Sequence, residues 1–402
     1  MRCKPIDMFR KDIFIFRLFF TLMMVASVAV QVHAQDAVYT DTIYEKSWMQ
    51  KTVERLDSLM DHPLLKTSQL AMMVYDLTAD SVVYTHNERQ LMRPASTMKV
   101  ITAVAALDRL GSNHRFRTTM RIDGSIRDSV LHGNITFKGS LDPMFSSVDM
   151  QKFVAYLQNK GIKTVDGDAI ADKSMKDTLR FGEGWCWDDD NPVLDPLLVD
   201  GKDGFVDKFR TVWLAGKASG KGTTAVSHGL CDVMKPMMKD SENLYAEAVF
   251  YQLAASVAAG RPATARHARA AIREVVKKMG KSPENYRFAD GSGLSLYNYV
   301  SAELLTSFLR YAYGKKEIYK HLEQLLPIAG KDGTLKKRMR KSPCEGNVRA
   351  KTGTLTGIIS LAGYCTASNG HKLAFTIINQ GVLTNKPARD FQDQVCGVLC
   401  SQ

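Results

Sequence analysis

The chain of 402 residues has few of the features that mark metal or redox proteins. Its seven cysteines show no CxxC spacing, and its nine histidines form neither HExxH nor HxxEH. A zinc site, a redox motif and a metallopeptidase are therefore not indicated. No repeat of 20–50 residues and no low-complexity stretch is visible, which excludes repeat architectures. We expect a globular protein that needs no metal and no cofactor.

Long hydrophobic runs are also rare, and the one at the N-terminus is short. A basic region is followed by the apolar run Leu18–Val30 and the small-residue site Val32-His33-Ala34. Thirteen residues are too few for a membrane span, which needs about 20. The pattern predicts a signal peptide over 1–34, cleaved before Gln35, and an exported, periplasmic protein. An uncleaved anchor that starts at Ile13 is the alternative.

Acidic residues are fewer than basic ones. The formal net charge is +12, and removal of residues 1–34 leaves about +9. A basic exported protein can meet polyanionic cell wall or an anionic lipid surface, so peripheral membrane contact stays open. No nucleic-acid-binding motif accompanies the charge, and a solvated basic surface is the simpler alternative. The six cysteines after the signal segment are expected to be mostly free, buried thiols.

The first pattern that points to chemistry is Ser96-Thr97-Met98-Lys99. Pro94 precedes it, and an apolar run of helical character follows to Leu110. A helix that is apolar all round is a buried one, so Ser96 should lie at the first turn of a central helix. Residues three apart share a helix face, and a buried lysine loses its proton readily. Lys99 can then activate the Ser96 hydroxyl as a nucleophile.

A single Ser-x-x-Lys match is weak evidence for an active site, because a capping serine followed by a solvated lysine gives the same pattern. Here it is the only match in the chain, and it precedes the only Ser-x-Asn (Ser241-Glu242-Asn243) and the only Lys-Thr-Gly (Lys351-Thr352-Gly353). Three such motifs in this order are typical of serine enzymes that form an acyl-enzyme. We interpret the three motifs as one active site.

The remaining patterns predict an α+β fold. Strand-like residues 70–75 and 82–84 lead to Ser96, and the strongest strand signals, 348–355, 358–367 and 372–378, lie near the C-terminus. A helix over about 387–399 should pack on the resulting antiparallel sheet. Between the first two motifs we expect strands, with a turn near Asp123-Gly124, a helix over 148–158 and a loop-rich stretch over 195–229. The interpretation is one domain formed by 35–111 and 231–402, with a second α/β domain, 112–230, inserted into it.

The chain resembles the penicillin-binding proteins of the D-Ala-D-Ala carboxypeptidase/endopeptidase type, low-molecular-mass class C (peptidase family S13). Besides the three motifs, the resemblance rests on Gly139-Ser140-Leu141-Asp142-Pro143, Trp185-x-Trp187-Asp188-Asp189, Asp290-Gly291-Ser292-Gly293-Leu294-Ser295 and Gly330-x-Asp332-Gly333-Thr334-Leu335. It implies a DD-peptidase/β-lactamase-like fold. Two departures stand out. The inserted region is shorter than in typical members, and Leu296 stands where the family usually has arginine.

The resemblance implies a serine D-Ala-D-Ala carboxypeptidase or endopeptidase that cleaves peptidoglycan stem peptides or cross-links, with β-lactam antibiotics as covalent inhibitors. Its implied catalytic residues are Ser96 as nucleophile, Lys99 as base, Ser241 as proton relay, Asn243 as a holder of Lys99 and of the substrate amide, and Lys351 as the group that binds the terminal carboxylate.

The implied substrate-binding residues are Thr352, Gly353, Thr354 and Asp142. Thr352 would bind the carboxylate, Gly353 would let substrate lie close to the strand, and Thr354 would supply an oxyanion N–H beside that of Ser96. Asp142 would approach a free amine of the substrate, although a plain turn residue before Pro143 explains it equally well. A serine β-lactamase and a non-catalytic wall-binding protein are the alternatives. The class A β-lactamase pattern Glu-x-x-x-Asn is absent between the second and third motifs.

Overall fold

The structure is a computed structural model that describes residues 46–401. The predicted signal peptide and its cleavage site lie outside the described residues. The helices are α1 Trp48–Leu59, α2 Met98–Leu110, α3 Ser147–Asn159, α4 Phe205–Leu214, α5 Leu230–Lys239, α6 Asn243–Ala258, α7 Ala265–Lys278, α8 Ala302–Tyr313, α9 Lys316–Leu325 and α10 Asn385–Cys400. The strands are β1 Gln69–Asp76, β2 Ser81–His86, β3 Arg115–Arg127, β4 Val130–Lys138, β5 Thr164–Asp166, β6 Ala169–Asp172, β7 Ala225–Gly229, β8 Arg349–Leu355, β9 Ile358–Thr366 and β10 Lys372–Gln380.

The first sheet brings the two ends of the described chain together. Its order is β2-β1-β10-β9-β8, and every neighbouring pair is antiparallel. In β9 and β10 nearly every residue is buried, because both faces are covered. Successive side chains of a strand point to opposite faces. Tyr364 thus packs in the large helical core, while Cys365 packs in a second core with α1 and α10. The predicted α+β fold is confirmed.

Helix α2 is the centre of the larger core. Residues 98–107 are all buried, including Lys99 and Thr102. The helix packs against α6, α7, α8 and α9, so no face is left for water, as its all-round apolar sequence predicts. Tertiary packing therefore fixes the start of α2, where the Ser-x-x-Lys motif lies.

The second sheet has its own core. Its order is β5-β4-β3-β7, with β6 also paired to β4, and α3 and α4 cover one face. Phe137 is fully buried there, and its ring centroid lies 4.6 Å from that of Phe209 and 5.2 Å from that of Phe205. This sheet falls within the predicted insertion 112–230. Residues from Trp48 onward nevertheless form one compact unit, so the division into domains stays a prediction.

Two local predictions in this region are wrong. Strand β3 continues through Asp123-Gly124, and the turn to β4 lies at Asp128 and Ser129, both with positive φ (49° and 63°). Positive φ at both central residues is the hairpin geometry that matches strand twist. The stretch 195–229 is also more regular than expected, because α4 and β7 lie within it.

The described cysteines are free thiols, and Cys344, Cys365, Cys396 and Cys400 are buried. Within residues 46–401 no helix is long and apolar enough to cross a bilayer.

The phenylalanine cluster makes a stability prediction. Phe137→Ala should lower the free energy of unfolding by about 3–5 kcal/mol, because it removes buried surface and leaves a cavity. Phe181→Ala is the matched control, since the Phe181 side chain is 66% exposed. Denaturant unfolding followed by circular dichroism measures both. Equal unfolding midpoints for the two variants would contradict the described packing.

Candidate active site

Ser96 lies in a short 3-10 turn, Ala95–Thr97, directly before α2. The turn is fixed by hydrogen bonds to the carbonyl oxygen of Pro94. The Thr97 and Ser360 hydroxyls each donate to this oxygen at 2.6 Å. Ala95 has a positive φ of 47°, which is a strained conformation for a residue with a side chain. The serine is thus held rigidly between α2 and strand β9.

The Lys99 amine is completely buried and has three partners. Its Nζ lies 2.8 Å from Ser96 Oγ, 2.7 Å from Asn243 Oδ1 and 2.9 Å from the backbone oxygen of Ser292. Burial lowers the pKa of Lys99 to about 7, although the charges of Asp290, Glu247 and Glu242 oppose the shift. Two of the three partners are carbonyl oxygens that only accept. A neutral amine with its two N–H bonds on these carbonyls therefore directs its lone pair at the Ser96 hydroxyl.

The loop that supplies the Ser292 carbonyl is held by two buried carboxylates. Asp290 accepts hydrogen bonds from the backbone N–H groups of Gly293 and Ser295 and from the indole of Trp185. Glu247, one helical turn after Asn243 on α6, accepts from the N–H groups of Gly291 and Ser292. Burial and the nearby Asp290 raise the pKa of Glu247 to about 8. The two carboxylates thereby fix the acceptor for Lys99.

Ser241 of the second motif contacts Lys351 of the third motif. Lys351 Nζ donates to Ser241 Oγ at 2.8 Å and to the Thr352 backbone oxygen at 2.7 Å. Lys351 is fully buried, and no carboxylate of residues 46–401 pairs with it. Burial, and then the charge of Lys99, push the pKa of Lys351 well below its ordinary value. A buried amine without an acidic partner is costly, and an incoming anion would remove that cost.

Strand β8 is the edge of the first sheet and forms one wall of the site. A Cβ on Gly353 would lie 2.1 Å from Ser360 Oγ and 2.9 Å from Ser96 N, so only glycine lets β8 approach the Ser96 turn. Thr352 Oγ1 lies 2.8 Å from Thr334 Oγ1. Gly353 and both threonines line one cavity of about 580 Å³.

The structure brings most of the predicted residues together at this cavity. Its lining includes, among others, the predicted residues Ser96, Ser241, Thr352, Gly353 and Thr354. The other three predicted catalytic side chains lie behind the lining and contact it or each other: Lys99 contacts Ser96 and Asn243, and Lys351 contacts Ser241.

Asp142 does not line this cavity. Its side chain is buried, and its carboxylate accepts from the Met144 N–H at 3.0 Å and contacts His228 Nδ1 at 2.8 Å. The Asp142 carboxylate raises the pKa of His228. Both partners lie in the region of the second sheet, and the contacts fit a turn residue between β4 and α3. A contact between Asp142 and substrate stays a prediction.

Three site residues were missed by the sequence analysis. Ser292 contributes only its backbone oxygen, Glu247 only holds the loop, and Thr334 contacts Thr352. Glu247 is four residues from Asn243, hence on the same helix face, and that spacing is a signal that could have found it. Ser292 and Thr334 lie in stretches that carried the family resemblance, but no residue pattern pointed to their contacts.

Comparison with solved structures defines the class of fold. The chain is similar to penicillin binding protein 4 (dacB) from Haemophilus influenzae, with a TM-score of 0.77 and 24% identity over 86% of this chain and 99% of that one. A second structure of that protein, in complex with a β-lactam, gives a TM-score of 0.69 at 24% identity, over 87% of this chain and 100% of that chain. The fold is thus the DD-peptidase fold that the resemblance implied.

Sequence comparison defines the family. The D-Ala-D-Ala carboxypeptidase 3 (S13) family model matches residues 52–196 and 212–402. The D-alanyl-D-alanine carboxypeptidase DacB of Haemophilus influenzae is 26% identical over 79% of this chain and 86% of its own length. The D-alanyl-D-alanine carboxypeptidase of Actinomadura sp. is 25% identical, over 82% and 80%. The chain belongs to the D-Ala-D-Ala carboxypeptidase 3 (S13) family, and both the predicted family and the predicted enzyme class are confirmed.

Gly293 lies where the loop 290–295 contacts the Ser96 turn, so a substitution there tests how closely the two segments pack. It has φ +82°, and a Cβ there would lie 1.9 Å from the backbone oxygen of Ala95. Gly111, at the end of α2, has φ +76° but open space around it. Gly111→Ala should cost about 1 kcal/mol of stability through its backbone alone, whereas Gly293→Ala should cost several times more, because the Ser96 turn must shift. Thermal unfolding compares the two, and equal losses would contradict the close approach.

Proposed function

We propose that this chain is a serine D-Ala-D-Ala carboxypeptidase or endopeptidase that acts through an acyl-enzyme on Ser96. The supporting observation is the position of Lys99 Nζ, 2.8 Å from Ser96 Oγ with its other two partners carbonyl oxygens. A group this close, whose pKa lies near 7, is suited to accept the hydroxyl proton. The β-lactam complex of the similar Haemophilus influenzae protein is consistent with the proposal.

The first step forms an ester. The Ser96 hydroxyl proton passes to Lys99 Nζ as Oγ attacks the carbonyl carbon of the penultimate D-Ala. The oxyanion lies against the backbone N–H groups of Ser96 and Thr354, which are held by the turn before α2 and by β8. Loss of one such donor costs roughly 3–4 kcal/mol in other enzymes. These two rigid segments supply the donors without rearrangement.

The leaving group is released when the peptide C–N bond breaks and its nitrogen takes up a proton. The Ser241 hydroxyl is placed to relay this proton: it gives its own proton to the nitrogen and takes one from the Lys351 ammonium, whose Nζ already donates a hydrogen bond to its oxygen. Lys351 is the group that meets the terminal carboxylate, together with the Thr352 hydroxyl. The approaching anion restores the positive charge that burial disfavours. Water then hydrolyses the Ser96 ester: its oxygen bonds to the acyl carbon, Lys99 returns its proton to Ser96 Oγ, and the proton that water loses replaces the one passed on through Ser241.

The chemistry also fits the predicted location. Peptidoglycan stem peptides that end in D-Ala-D-Ala occur outside the cytoplasmic membrane, and β-lactams resemble that dipeptide. We therefore propose the periplasm as the site of action, and Asp142 as the residue that a free amine of the substrate would approach. The net positive charge of the chain after residue 34 also suits contact with the polyanionic cell wall or with an anionic membrane surface.

Covalent labelling tests the nucleophile. Purified protein incubated with a fluorescent penicillin should carry the label on the peptide that contains Ser96, as mapped by digestion and mass spectrometry. Ser96→Ala should abolish the label, because no oxygen remains to form the ester. Ser58→Ala is the matched control, since the Ser58 hydroxyl bonds only within α1, to the Glu54 carbonyl, and should label as the wild type.

Release of D-Ala from a pentapeptide completes this test. Label on another peptide would defeat the assignment of Ser96. A folded protein that takes the label but releases no D-Ala would favour the wall-binding alternative, and rapid turnover of nitrocefin in place of slow trapping would favour a β-lactamase.

The pKa of Lys99 predicts the pH dependence of acylation. Below about pH 7 the amine carries a proton and has no lone pair, so the acylation rate should fall by about tenfold per pH unit. Above pH 7 the amine is neutral, and the rate should level off. Second-order rate constants for a fluorescent penicillin between pH 5.5 and 8.5 measure this. Lys99→Arg, which stays charged, should acylate far more slowly at every pH, and a flat wild-type profile would exclude Lys99 as the base.

A further inference from the structure

Three cations line one flank of the active-site cavity. Lys336 and Lys337 follow the 3-10 turn Gly333–Leu335, and Arg389 lies on α10. All three are exposed, and none forms an ion pair with a residue in the described range 46–401. Arg338 also lines the cavity, but its guanidinium pairs with Asp393 at 2.6 Å. We call Lys336, Lys337 and Arg389 the basic rim.

The basic rim has no acidic counterpart within the cavity. The described lining residues include these cations and Arg338 but no aspartate or glutamate. Like charges placed side by side around a concave surface raise the local positive potential, and such a surface attracts anions. The arrangement is therefore suited to a ligand that carries negative charge beyond the one carboxylate that Lys351 would bind.

The position of the basic rim says which part of a substrate would reach it. Thr352 Oγ1 contacts Thr334 Oγ1 at 2.8 Å, and Lys336 is two residues after Thr334 in the same cavity. On the proposed function, Lys351 and Thr352 hold the carboxylate of the leaving amino acid. Any further group on that amino acid would then lie in the same cavity, which Lys336 and Lys337 also line.

Arg389 extends the same surface along the edge of β8. Its Nη2 lies 3.4 Å from Thr354 Oγ1, and both residues are exposed. Within residues 46–401 β8 is the last strand of its sheet, and beyond the bridge between Ile328 and Arg349 at its start no strand pairs with this edge. A peptide attached to the leaving amino acid would lie between Arg389 and the two lysines.

We propose that the basic rim is a subsite for a second carboxylate on the leaving side of the substrate. The proposal rests on the proposed function and makes it more specific: the preferred leaving group is an amino acid or peptide with an acidic group of its own, in place of a single D-Ala. Exposed charge pairs are individually weak, because water and salt screen them and their side chains are mobile. Three cations around one carboxylate should therefore give only a modest preference, about three- to tenfold.

Two peptides that differ only in one charge test this. Diacetyl-Lys-D-Ala-D-Glu and diacetyl-Lys-D-Ala-D-Gln have leaving groups of equal size, and kcat/KM for each is measured from the released amino acid. The wild type should favour the D-Glu peptide by about three- to tenfold at low salt. In the triple variant Lys336→Gln, Lys337→Gln, Arg389→Gln the ratio should fall to about one. Salt at 1 M, where the screening length is about 3 Å, should lower the wild-type ratio in the same way.

Lys386→Gln is the matched control. Lys386 lies on α10 near Arg389, pairs with Asp390 and does not line the cavity, so this variant should keep the wild-type ratio. Equal kcat/KM for the two peptides in the wild type, or a ratio that survives in the triple variant, would overturn the subsite.

A binding measurement separates this proposal from the proposed function. Calorimetric titration of the two peptides into Ser96→Ala protein repeats the comparison without turnover. A preference for the D-Glu peptide that the triple substitution removes would support the subsite even if Ser96 were not the nucleophile. Equal affinities would overturn it even if Ser96 were acylated as expected.

Discussion

The buried amine of Lys99 is the interaction on which the rest of the structure depends. Its partners come from three parts of the chain: Ser96 from the turn before α2, Asn243 from α6, and the carbonyl of Ser292 from the loop behind them. A buried polar group that loses its partners costs a large part of the total stability of a protein. The three segments therefore have to be in place together, and the same contacts position the Ser96 hydroxyl that we propose as the nucleophile. Stability and chemistry rest here on one set of contacts.

Lys351, the second buried lysine of the site, has different surroundings. Lys99 has all its hydrogen-bonding capacity filled by the protein, whereas Lys351 is buried with two oxygen partners and no carboxylate among residues 46–401. One amine is thereby suited to give and take protons, and the other to bind an anion. On the proposed mechanism the two lysines have different roles because their surroundings differ, although their side chains are the same.

Much of the fold and of the candidate site could be predicted from the sequence, because the residue patterns that indicate them are local. The all-round apolar run of α2 predicted burial, and the strand-like stretches near the C-terminus predicted the sheet. The contribution of Ser292 could not be predicted, since a backbone carbonyl leaves no trace in residue identity. The hairpin between β3 and β4 was misplaced because Asp123-Gly124 has typical turn residues, while Asp128 and Ser129 adopt the positive φ values that the turn requires. In this hairpin Gly124 instead faces Gly133 across the strand pair.

The free edge of β8 has a consequence for the molecule as a whole. An edge strand offers unpaired N–H and C=O groups to any other strand, including the same strand of a second copy. Two copies that approached edge to edge would place Lys336, Lys337 and Arg389 of one against the same three cations of the other. Repulsion between them works against such self-association. The basic rim would thus oppose edge-to-edge pairing of two copies, so that the edge of β8 stays accessible to short peptides.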